Sequence, residues 1–193
     1  MIVAAHQTML APQGAPLPYD AEIEYLQSTG GQWIDMGVGP TTGAIAFGYT
    51  ISGYGSGAGV FGQQKAGDRV LLWIDSAASG YLDLGSSGSR ISYSSADFSR
   101  TKTAYDAPSE PAPRYLYTTA NSNGSARTTR ALVQLRYFQL WDENDVLVRD
   151  FIPVRVGTTG YLYDRANPTG GPNGNGLFGN AGTGAFTIGP DKT

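Results

Sequence analysis

Glu22 and Glu24 stand two residues apart, a spacing that puts both carboxylates on one face of a strand. Retaining hydrolysis of a glycoside needs such groups about 5–5.5 Å apart and working as acid and nucleophile. This pair follows a proline-rich opening and lacks a third group, so it reads as an exposed edge strand. Asp142-Glu143-Asn144-Asp145 gathers oxygen ligands of the kind a hard cation takes. It lies between two strand-like runs and reads as a solvated turn; no cofactor is expected, with weak calcium binding at this turn as the alternative. His6 is the single histidine and sits in the opening segment, so the body offers no imidazole for acid–base work, a triad or zinc. The chain has no cysteine, which removes thiol nucleophiles, disulfides and thiolate metal sites. The Gly-x-Gly strings between Gly53 and Gly59 lack the strand–turn–helix setting of a phosphate cradle.

Aromatic side chains are the stronger lead. A sugar ring packs on an exposed apolar platform, while nearby amides or carboxylates take its hydroxyls. Trp73 has Asp75 two positions on, Tyr81 precedes Asp83, and Tyr54 sits in a glycine-rich loop where burial is difficult. Tyr54, Trp73, Asp75 and Tyr81 are therefore the candidate ligand-binding set. Core packing competes as the reading for Trp73, and sheet packing is the expectation for Trp33 and Trp141. Asn121, Asn123, Asn173 and Asn175 read first as turn residues.

The elements that would position these groups are strands. Twenty-seven glycines and eleven prolines are too many for a helical protein, and no stretch holds a helical period. Short alternating runs fall at 22–28, 32–37, 44–52, 60–63, 81–84, 90–93, 114–119, 131–141 and 146–154. Arg69 to Asp75 is apolar on both faces and suits an interior strand. Residues 131–141 make the longest candidate. Residues 99–113, with Pro108, Pro111 and Pro113, read as a long surface loop, and 166–176 as another. About a dozen short strands at regular spacing mean a sandwich or barrel.

Residues 1–21 read as an extended arm, because Pro12, Pro16 and Pro18 with Gly14 block helix and ladder alike. Stretched out, about twenty residues reach on the order of 65 Å. The start, Met1 to Gln7, has no basic segment and no long apolar run, so a signal peptide is not expected. Nothing approaches the roughly 18 apolar residues of a membrane helix. A net charge of −3 without a basic cluster argues against nucleic acid.

The opening Glu24-Tyr25-Leu26-Gln27-Ser28-Thr29-Gly30-Gly31-Gln32-Trp33-Ile34-Asp35-Met36-Gly37 resembles that of the concanavalin A-like, laminin-G-like jelly-roll domains found in phage and gut-bacterial proteins. Val60-Phe61-Gly62, Tyr137-Phe138-Gln139-Leu140-Trp141-Asp142, Leu147 to Arg155, Gly160 to Asp164 and Asn180 to Phe186 are similar to further landmarks in the same order. The loop Asn167 to Gly176 is longer than usual for that family.

This resemblance implies an all-β, two-sheet antiparallel jelly-roll sandwich over residues 22–193, following the arm. Glycosidases of the same superfold carry a Glu-x-Asp-x-x-Glu strand, and this chain has none; the lyases of that superfold use a His with a Tyr, which the body cannot supply. The expectation is a non-enzymatic phage virion protein, a head fibre, decoration or tail-associated module. It would anchor to other virion proteins through residues 1–21, as a homotrimer in some arrangements, and display the sandwich to a glycan at the virion surface. The alternative is a secreted or surface bacterial carbohydrate-binding domain, and a glycoside hydrolase is a third.

Overall fold

The structure is a computed structural model and describes residues 16–40, 42–53, 58–65, 68–76, 79–85, 90–106, 113–119, 125–126 and 131–193. Fifteen strands run through them, in chain order β1 (Ala21–Glu22), β2 (Leu26–Gln27), β3 (Ile34–Val38), β4 (Thr42–Gly53), β5 (Ala58–Lys65), β6 (Asp68–Ser76), β7 (Ser79–Leu84) and β8 (Arg90–Tyr93). They continue as β9 (Asp97–Asp106), β10 (Pro113–Leu116), β11 (Leu132–Trp141), β12 (Leu147–Val156), β13 (Thr159–Asp164), β14 (Leu177–Phe178) and β15 (Thr187–Ile188). No helix occurs among the described residues.

The strands form two antiparallel sheets packed as a sandwich, consistent with a jelly-roll-like arrangement. One sheet has nine strands and is built on β11, which pairs with β4 along its length and with β12 and β2 on the other side. The other has six strands in the order β3-β10-β5-β6-β7-β8. Alternation decides which side chains fill the gap between them. Ile45, Phe47, Tyr49 and Ile51 point inward from β4, and Val133, Leu135, Phe138 and Leu140 from β11. Val70, Leu72 and Ile74 of β6, with Leu82 of β7, face them from the second sheet. Phe61 and Phe138 meet across the interior with ring centroids 4.9 Å apart.

The resemblance motifs do architectural work. Gln32 is buried; its Oε1 accepts from the Thr29 backbone N–H at 2.8 Å and its Nε2 donates to the Ala185 carbonyl at 2.9 Å. Asn180 Oδ1 accepts from the backbone N–H groups of Trp33 and Gly182. The opening and closing segments of the body are thereby stitched together.

Four expectations need adjusting. The run 22–28 is not one strand: β1 pairs with β12, Ile23 bridges Asp191, and β2 pairs with β11. The loop expected at 99–113 is mostly a ladder, since β9 pairs with β4 from Asp97 to Asp106. Its polar residues fooled the pattern because, among the described residues, β9 pairs with β4 alone and shows alternate side chains to water. Residues 107–112 lie outside the described residues. The longest strand is β4, not β11. Finally, the end of the arm already belongs to the body: Asp20 N–H donates to Arg155 O at 2.9 Å, and the Tyr19 ring sits 5.0 Å from that of Tyr163. Residues 1–15 lie outside the described residues.

Candidate functional site on the outer face of the six-stranded sheet

On β6 and β7 the residues alternate between core and exterior. Leu72 pairs with Leu82, and both face inward. The next positions on the ladder, Trp73 and Tyr81, are also direct partners and face outward, each half-buried. One row across the outer face therefore reads Gly59, Trp73, Tyr81 and Ser92. A parallel row reads Tyr115, Gly62, Leu71, Asp83 and Arg90. Gly62 has φ 131°, and a Cβ there would come 2.1 Å from the Val70 carbonyl oxygen, so only glycine lets β5 lie this close to β6.

Arg90 ties the two rows together. Its Nε and Nη2 donate to the two oxygens of Asp83 at 2.7 and 3.1 Å, and its guanidinium lies 3.8 Å from the Tyr81 ring centroid. The Asp83 carboxylate beside it raises the Arg90 pKa. Of five N–H donors, two are engaged with Asp83, leaving three directed elsewhere. Asp83 is buried at 6% exposure while the Arg90 side chain is 47% exposed, so the pair presents its cation outward.

The sequence-derived set is thus divided. Trp73 and Tyr81 come together as cross-strand neighbours. Asp75 is exposed and accepts from Ser79 Oγ at 2.6 Å, which closes the β6–β7 hairpin. Tyr54 lies outside the described residues, as do Asn121, Asn123 and His6. Trp33 packs edge-on against Tyr115 at 5.0 Å, and Trp141 lies under Lys102 at 4.8 Å. Asn175 Oδ1 accepts from Leu177 N–H at 3.2 Å, a turn role.

Asp83 and Arg90 were not in that set. Asp83 shares the parity of Tyr81, and this was the available signal. Arg90 reaches the site only through the β7–β8 register, which local spacing does not reveal.

The acidic segments found by sequence have other partners. Glu22 accepts from the Tyr19 hydroxyl at 3.5 Å and pairs with Lys192 at 3.7 Å. Asp142 Oδ1 accepts from the Asn144 and Val146 N–H groups and shapes the β11–β12 turn, where Asp145 has φ 65°. Among the described residues, no three acidic or histidine side chains gather as a metal site.

Comparison with family models, with curated proteins and with solved structures returns no match to this chain. What the outer face offers chemically follows from its groups: ring surface from Trp73, guanidinium donors from Arg90, and a carboxylate acceptor from Asp75.

Proposed function

We propose that this chain is a binding module without turnover, and that the outer face of its six-stranded sheet takes a glycan. The observation that carries the reading is the Trp73–Tyr81 pair with Arg90 stacked on Tyr81. A sugar ring has an apolar face edged by hydroxyls, and a half-buried indole beside fixed donors and acceptors complements both. The carboxylates here already accept hydrogen bonds, Asp83 from Arg90 and Asp75 from Ser79, which suits fixing the site's geometry better than acid–base cleavage of a glycosidic bond.

The setting we favour is a phage virion, as a head fibre, decoration or tail-associated protein anchored through the part of residues 1–21 that precedes Tyr19. Support comes from the family resemblance of the landmark segments and from the prolines of the arm. A bacterial surface or secreted carbohydrate-binding domain would use the same sheet face.

Screening the intact chain on a glycan array, with a parallel assay for new reducing ends, tests the reading. Binding to one or more glycans with no reducing ends released supports it. An array without a single ligand, or measurable hydrolysis, contradicts it. Mass spectrometry of purified virions separates the phage setting from the bacterial one.

A further inference from the structure

A second polar site lies away from the outer face, where β3 and the segment after it meet the β11–β12 hairpin. A pocket of about 170 Å³ is lined there by Arg114, Arg149 and Asp142 together with the apolar residues Met36, Leu140 and Val148. That is below the roughly 300 Å³ at which whole drug-sized ligands are enclosed, so the pocket fits one group of a larger molecule.

Arg114 is fully buried on β10 and donates to the Tyr105 hydroxyl at 2.8 Å and to the Pro40 carbonyl. It reaches the pocket wall because residue 39 is glycine, whose added Cβ would stand 2.3 Å from Arg114 Nε. Arg149 comes from β12 and is 24% exposed. Its Nη1 donates to the Val148 carbonyl at 2.8 Å and its Nη2 to the Met36 carbonyl at 3.3 Å. Two of five N–H donors are engaged in this way, so three are left. The carboxylate behind it, Asp164, is 3.6 Å from Nη1, an ion pair without a hydrogen bond. Asp142 engages Oδ1 in its turn, and Oδ2 makes no hydrogen bond.

We propose that this pocket binds the carboxylate of an acidic sugar residue, a uronate. A guanidinium fork with spare donors matches a carboxylate in geometry and charge. A plain carboxylate would share the pocket with Asp142, a like charge. A uronate carries hydroxyl donors beside its carboxylate and answers both signs, while its ring carbons lie on Met36, Leu140 and Val148. The site is separate from the Trp73 face, and each stands or falls without the other.

The test is a calorimetric titration of the full chain with methyl glucuronide, methyl glucoside and acetate. The expected result is that the uronate binds at least about tenfold more tightly than the neutral glycoside, and acetate more weakly than the uronate. Arg149→Gln should abolish the preference. Because Arg149 also braces two carbonyls, Val148→Met serves as a second variant: it fills the pocket with every charge in place, and it should weaken the uronate while the thermal midpoint holds. Equal binding of glucuronide and glucoside, acetate binding as tightly as the uronate, or full uronate affinity in Val148→Met would each overturn the assignment. So would a uronate preference lost in Trp73→Ala and kept in Arg149→Gln, which would move the acidic ligand to the sheet face and leave the proposed function intact.

Discussion

Arg90 holds Asp83 by two hydrogen bonds while its guanidinium covers one side of the Tyr81 ring at 3.8 Å. Asp83 is the buried member, so truncating either side chain leaves an imbalance. Asp83→Ala is expected to cost on the order of 1 kcal/mol, below the roughly 1.5–3 kcal/mol of charged hydrogen bonds because the cation remains wet. Urea unfolding of the two alanine variants and their double should show less than additive losses. Strict additivity would mean the contact contributes nothing.

Gly62→Ala should be the most damaging small change on this face. The added methyl would collide with the Val70 carbonyl oxygen, and φ 131° is a region that L-residues avoid. A loss of about 2–4 kcal/mol is expected from backbone strain of this kind, read by urea unfolding. A loss under about 0.5 kcal/mol, the range of ordinary surface changes, would mean β5 and β6 are not this close.

Phe61 and Phe138 are fully buried and join the two sheets. Phe138→Ala should cost about 3–5 kcal/mol through lost burial and the cavity left behind. Chemical denaturation with the slope held common measures it.

Asp164 gives the pH dependence its unusual sign. It is fully buried, and burial raises its pKa against the opposing pulls of the Asp150 N–H, Arg149, and the Ala166 and Asn167 N–H groups. A carboxyl whose folded pKa is raised contributes stability that is complete below the ordinary carboxylate pKa and lost as pH rises through the folded value. Asn at this position keeps an acceptor for the Asp150 and Ala166 N–H groups, which Asp164 Oδ1 takes at 3.0 and 3.1 Å. Asp164→Asn should therefore gain on the wild type between pH 4 and pH 7. Thermal melts across that range check it, and a variant whose stability relative to the wild type falls as pH rises would contradict the account.

Most of the sandwich could be read from alternation. Ile45, Phe47 and Tyr49, or Val70, Leu72 and Ile74, announce a core face without help. Strand β9 could not be read this way. Its Ser99, Thr101 and Ala104 face water, and its place is set by β4, more than forty residues earlier in the chain. The candidate site was half visible for the same reason. Trp73 and Tyr81 carry their own signal, whereas Arg90 matters through the β7–β8 register and Asp83 through its burial. The pocket was invisible, since Arg114 and Arg149 converge only once β10 and β12 are placed in different sheets.

The most direct measurement of the central claim is the affinity of Trp73→Ala for a glycan selected by the wild-type chain, taken beside its thermal midpoint. The account predicts a loss of at least about tenfold, equivalent to about 1.4 kcal/mol of binding free energy, with little change in midpoint because Trp73 lies outside the core. Unchanged affinity in a folded Trp73→Ala variant would contradict it.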